Sequence, residues 1–122
     1  MSWLLHLARS HLVGWLIGWI FAHMSFVIPG KRLRETDTLI AFPHPNPSYP
    51  VHILLVPKKA AKSLIDLDDT DGEFLADLFR IVQDLVEEMD LEITGYHLIV
   101  NGGKYQEVQQ LHFHLVSGDP LD

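Results

Sequence analysis

Cysteine is absent from the 122 residues, which removes disulfide staples, thiolate nucleophiles and cysteine-rich zinc sites together. The fold must therefore hold itself together by packing. Positive charge is scarce too: nine Lys and Arg face sixteen Asp and Glu, for a formal net charge of -7. Such a surface repels a polyphosphate backbone, so long nucleic acid is excluded as the partner. A small anionic ligand is still compatible, because one pocket can be locally positive or rich in amide donors. There is no internal repeat, and no linker divides residues 30 to 122. What the chain does have is apolar residues, 48% of the total, and a length at which one domain buries roughly two-thirds of its unfolded surface.

Much of that apolar content lies at the start. From Trp3 to Ile28 only His6, Arg9, Ser10, His11, His23 and Ser25 interrupt it, and the pattern predicts an apolar N-terminal helix. Leu12 to Ile28 is long enough just to cross a bilayer, and Gly14-Trp15-Leu16-Ile17-Gly18 matches GxxxG. Lys31, Arg32 and Arg34 follow, which would leave the remainder in the cytoplasm. A signal peptide is not expected, because the stretch is too long and Ile28-Pro29-Gly30-Lys31 lacks a small-x-small cleavage site. Membrane attachment through residues 3–28 and a buried or interface helix both remain open; His23 favours the second.

After Leu39 the period shortens. Strands are expected at Thr38 to Phe42, Val51 to Val56, Tyr96 to Val100 and Leu111 to Val116, with a proline-rich loop from Pro43 to Pro50 that can be neither helix nor central strand. Thr70-Asp71-Gly72-Glu73 has capping-box spacing before Phe74, Leu75, Leu78, Phe79, Val82, Leu85, Val86 and Met89, which recur as one face of a long helix. The expected fold class is α+β.

Chemistry concentrates on the last strand. Alternation puts Gln110, His112 and His114 on one face and Leu111, Phe113 and Leu115 on the other. Two imidazoles two residues apart serve as metal ligands, as a nucleophile with its support, or as structural histidines. A metal would need a third ligand, for which His52, His97 and Glu107 are candidates that nothing in the sequence separates. A nucleophilic imidazole attacks phosphorus to give an adduct that water can open, provided an acceptor holds its other nitrogen and donors face the phosphate. The acidic run Asp66, Asp68, Asp69, Asp71 lacks the glycine and terminal glutamate of a calcium loop and reads as a helix-cap region.

The segment from Gln106 to Val116, Gln-Glu-Val-Gln-Gln-Leu-His-Phe-His-Leu-Val, resembles the signature of the histidine triad (HIT) superfamily. Ile28 to Arg32, Leu39 to Phe42, Pro50 to Lys58 and Gly95 to Asn101 follow the order and spacing of its Hint branch. The resemblance implies an antiparallel HIT-like sheet with one long helix in residues 19–122, preceded by the apolar helix of residues 1–18. It also implies a homodimer, binding of a purine nucleotide or nucleotide conjugate, and hydrolysis or nucleotidyl transfer at the α-phosphorus without metal or cofactor. His112 falls on the nucleophile, His114 on the third histidine and His52 on the upstream supporting histidine. Asn101 falls near the phosphate and leaving group, and Phe42 and Ile40 on the base pocket. Three positions depart from the pattern: Gln110 replaces the first histidine, Glu107 the Ser or Thr that follows Gln106, and His44 the ribose-binding Asp. They keep open a non-catalytic nucleotide-binding or membrane-tethered module.

Overall fold

The computed structural model describes residues 34–122. The apolar helix expected over residues 3–28 and the boundary after residue 18 lie outside them. Among the described residues no helix is long and apolar enough to cross a membrane.

Five strands, β1 (Arg34–Glu35), β2 (Leu39–Pro43), β3 (Val51–Pro57), β4 (His97–Val100) and β5 (Phe113–Ser117), form one sheet in the order β1-β2-β3-β5-β4. Every neighbouring pair is antiparallel. The strand expected from Leu111 begins two residues later, at Phe113. Its first two residues are diverted: the Leu111 N–H donates to the Ala61 carbonyl at 2.9 Å, and the His112 ring turns back on the Gln110 carbonyl.

One long helix, α1 (Gly72–Glu88), packs Phe74, Leu78, Ile81, Val82, Leu85 and Val86 into the core, and a single turn, α2 (Leu91–Thr94), follows. The capping box sits one turn earlier than the sequence suggests. Asp68 accepts from the Thr70 N–H and donates its own N–H to Asp71 Oδ2, so the reciprocal pair caps the 3-10 turn Asp69–Asp71 rather than α1. Acidic side chains win there because each carboxylate satisfies main-chain donors that a helix start leaves free. Buried Asp77 ties α1 to the sheet by accepting from Thr38 Oγ1 at 2.6 Å.

The sheet has two distinct faces. Leu39, Ala41, Ile53, Leu55, Phe113 and Leu115 join α1 in the hydrophobic core, and Leu39, Leu55 and Leu115 are fully buried there. The other face carries Phe42, Leu54, His114 and Ile99 as one cross-strand row, with His52, Val116 and His97 as the next. The strand period that builds the core thus delivers the histidines to the side away from α1.

Candidate active site

Two loops and two strands bring the histidines together. His52 comes from β3 and His114 from β5, His112 stands just before β5, and His44 follows β2. Ring centroids lie 5.2 Å apart for His52 and His114, 4.9 Å for His112 and His114, and 4.3 Å for His44 and His52. Tyr49 meets His52 edge-on at 5.7 Å.

Main-chain contacts fix the protons on these rings. The Ser48 N–H donates to His52 Nδ1 at 3.0 Å, so neutral His52 carries its proton on Nε2. That Nε2–H donates to His114 Nδ1 at 2.9 Å, which puts the His114 proton on Nε2. His114 Nε2 is buried and has no hydrogen-bond partner among the described residues, so it is a donor held ready for an acceptor. His112 is set the opposite way: its Nδ1–H donates to the Gln110 carbonyl at 2.7 Å, leaving Nε2 as a bare lone pair. His44 Nδ1 accepts from the Asn46 N–H at 3.0 Å.

Electrostatics agree with this pattern. Burial, then the neighbouring His44, pushes His52 down to about 4. Burial, then His112, His52 and His44, does the same to His114. His44 is lowered by burial and by His112. The supporting rings are therefore neutral at physiological pH, as their hydrogen bonds require.

The other candidate residues fall into two groups. Phe42 and Ile40 share the histidine face and are buried at 4% and 5% exposure, while Asn101 is half-buried just after β4. Gln106 and Gln110 are buried, but their side chains face the main chain: Gln106 donates to the Lys62 carbonyl at 2.6 Å and the Val108 carbonyl at 3.0 Å, and Gln110 donates to the Leu111 carbonyl at 3.3 Å. Glu107 and His97 are exposed. Among the described residues no three His, Asp or Glu side chains are grouped to hold a metal. A cavity of about 300 Å³ reaches His44 and His52 from the C-terminal end of α1, between Pro43, Pro47, Pro50, Leu85 and Met89.

Sequence reasoning missed the Ser48 N–H and the Gln110 carbonyl. Any residue type supplies a main-chain group, so neither leaves a compositional signal; the only hint at Ser48 is its place among Pro45, Pro47 and Pro50.

Residues 25–121 match the HIT domain. The chain belongs to the HIT family. A histidine triad protein from Clostridium difficile is 35% identical with a TM-score of 0.67, over 84% of this chain and 92% of that one. A HIT family hydrolase from Legionella pneumophila is 33% identical with a TM-score of 0.66, over 75% and 84%. The purine nucleoside phosphoramidase of Escherichia coli is 29% identical over 96 residues, covering 77% of this chain and 81% of the relative. The five-stranded antiparallel sheet with one long helix is accordingly a HIT fold, and its relatives include hydrolases.

Proposed function

We propose that this chain is a HIT hydrolase or nucleotidyl transferase of the Hint type, acting at the α-phosphorus of a purine nucleotide conjugate, with His112 as the nucleophile. The observation that carries the reading is the 2.7 Å hydrogen bond from His112 Nδ1 to the Gln110 carbonyl, which leaves the Nε2 lone pair bare on a ring whose centroid is 4.9 Å from that of His114, the bearer of the Nε2–H donor.

In the first step His112 Nε2 forms a bond to phosphorus as the bond to the leaving group breaks, and the leaving group departs with the electron pair. The positive charge that develops on the imidazole is stabilised by the Gln110 carbonyl at Nδ1. His114 Nε2–H donates to a non-bridging phosphate oxygen, where negative charge is concentrated. His52 holds His114 in that tautomer, and neutral rings spare the site a competing proton on the nucleophile's neighbours. In the second step water attacks phosphorus and gives up a proton to solvent, making good the one the leaving group took up from solvent, the P–Nε2 bond breaks, and His112 returns with its lone pair. Transfer to another acceptor in place of water gives the nucleotidyl transferase outcome.

Asn101 is assigned to the phosphate and leaving group, and Phe42 and Ile40 to the base side of the pocket, where they share a face with His114. His44 takes the ribose side, offering one imidazole edge rather than a bidentate carboxylate. Gln106 shapes the phosphate loop from within, and exposed Glu107 has room to turn away from the substrate. A homodimer through β4 fits the exposed Ile93 and Tyr96 beside a strand that is an edge of the sheet among the described residues. Attachment to a membrane through residues 3–28, with this domain cytoplasmic, is kept as a separate question for liposome flotation.

The test is AMP release from adenosine 5′-phosphoramidate by wild type and by His112→Ala, with AMP binding measured on both. Release by wild type alone supports the reading, and equal release refutes the nucleophile. Gln110, whose side chain turns to the Leu111 carbonyl instead of to a histidine, favours one second reading, a binding module without turnover. AMP binding with no release from any nucleotide conjugate would select it.

A further inference from the structure

We infer that the segment after β5, from Gly118 to Leu121, is a positioning element of the histidine relay, acting through a main-chain clamp on the loop that sets the tautomer of His52. The Leu121 N–H donates to the Ser48 carbonyl at 2.8 Å. Ser48 in turn donates its N–H to His52 Nδ1, His52 Nε2 meets His114 Nδ1, and the unpaired His114 Nε2 ends the chain. An unbroken series of contacts therefore runs from the tail into the site.

The loop needs such an external hold. Pro45, Pro47 and Pro50 contribute no N–H, so the segment has few donors with which to brace itself. Besides Ser48, the inward contacts described are the Asn46 N–H to His44 Nδ1 and the His44 N–H to the His52 carbonyl, both at its leading end. At its trailing end the tail lies directly on it. Gly118 has φ +92, and a Cβ there would stand 2.7 Å from Pro50 Cγ, so main chain and proline ring are in close contact. Leu121 itself is 51% exposed, so its N–H, rather than its side chain, makes the contribution. The rings facing His52 are His44 from the loop, Tyr49 edge-on and His114 from β5. A loosened loop admits water among them and frees His52 to exchange its proton between the two nitrogens.

The full chain is labelled with ¹⁵N-histidine and compared as wild type, Leu121→Pro, which removes the donor, and Leu121→Ala, which keeps it. Wild type and Leu121→Ala should show His52 as a single tautomer with a bare Nδ1. Leu121→Pro should show a tautomer mixture and a titration midpoint moved toward that of a free histidine. The kinetic part rests on the hydrolase reading: Leu121→Pro should lower kcat for adenosine 5′-phosphoramidate roughly three- to tenfold, the worth of one hydrogen bond. KM should hold, and the acid limb of the rate profile should shift to higher pH. Gly118→Ala, which pushes Pro50 away, gives an independent opening of the same contact and should reproduce the tautomer change. Wild-type behaviour of His52 in both Leu121→Pro and Gly118→Ala, or Leu121→Ala moving as far as Leu121→Pro, overturns the clamp. Absence of turnover in wild type removes the hydrolase reading, while the tautomer comparison still decides the clamp.

Discussion

Acidification should destabilise this domain through the two histidines that the fold keeps neutral. His52 and His114 ionise at about 4 in the folded protein, burial being the main cause, against about 6.5 in an unfolded chain. Protons therefore bind the unfolded chain first as the pH falls. The stability associated with neutral rings is complete above about pH 6.5 and is lost progressively down to about pH 4. Between about pH 7 and about pH 4.5, linkage alone removes about 2.4 kcal/mol per ring. The site is open enough for water to screen part of that, so roughly half is retained and the pair together contributes about 2–3 kcal/mol. Asp68, Asp71 and Asp77 do not confuse this window. Hydrogen bonds from Thr70, from the Asp68 main chain and from Thr38 respectively hold them below the usual carboxylate range. Urea unfolding followed by circular dichroism, at both pH values, compares wild type with the double variant His52→Gln, His114→Gln. The variant should lose about 2–3 kcal/mol less than wild type on acidification, whatever its stability at neutral pH. Equal losses would refute the buried-neutral account of the two rings.

Two further changes probe the site and its frame. His114→Ala removes the Nε2–H donor but keeps His112, the proposed nucleophile, so on that proposal single-turnover AMP release should slow by about 10²- to 10³-fold while AMP still binds. Gln106→Ala leaves the Lys62 and Val108 carbonyls without their shared donor, and thermal or urea unfolding should register a loss of about 1–3 kcal/mol.

The sheet and α1 were readable because their side chains report apolar runs between chain breakers in the one and helical periodicity in the other. Val51 to Val56 is a short apolar run closed at both ends by proline, at Pro50 and Pro57, and the helical recurrence from Phe74 to Val86 lasts long enough to show a period of 3.6. β1 is two residues long and α2 four, too short to show any period; both exist through pairing and packing with their neighbours. The same distinction governs the site. The histidines were visible as residue types, and the structure brings His44, His52, His112 and His114 into one cluster. Their protonation pattern was not visible, because Ser48, Asn46 and Gln110 act on them through the main chain. Gln106 shows the converse: the residue type is visible in the sequence, but its amide is spent on the Lys62 and Val108 carbonyls, which leave no sign in the sequence.

Gln110 poses the sharpest question about the altered triad, and the geometry gives a definite expectation. A glutamine cannot titrate near neutrality, so a mechanism that needs an ionisable side chain at this position would be disabled. The proposed nucleophile, His112, is however oriented by the Gln110 carbonyl at 2.7 Å, and the Gln110 side chain points instead to the Leu111 carbonyl. Every residue type provides that carbonyl. Gln110→His should therefore change AMP release by less than about tenfold, a barrier difference under about 1.4 kcal/mol, provided the histidine is accommodated. Comparing the folded stability of the two proteins checks the proviso. A gain of more than about a hundredfold, some 2.7 kcal/mol of barrier, would mean that the side chain at this position limits catalysis and that the site has largely been given over to binding.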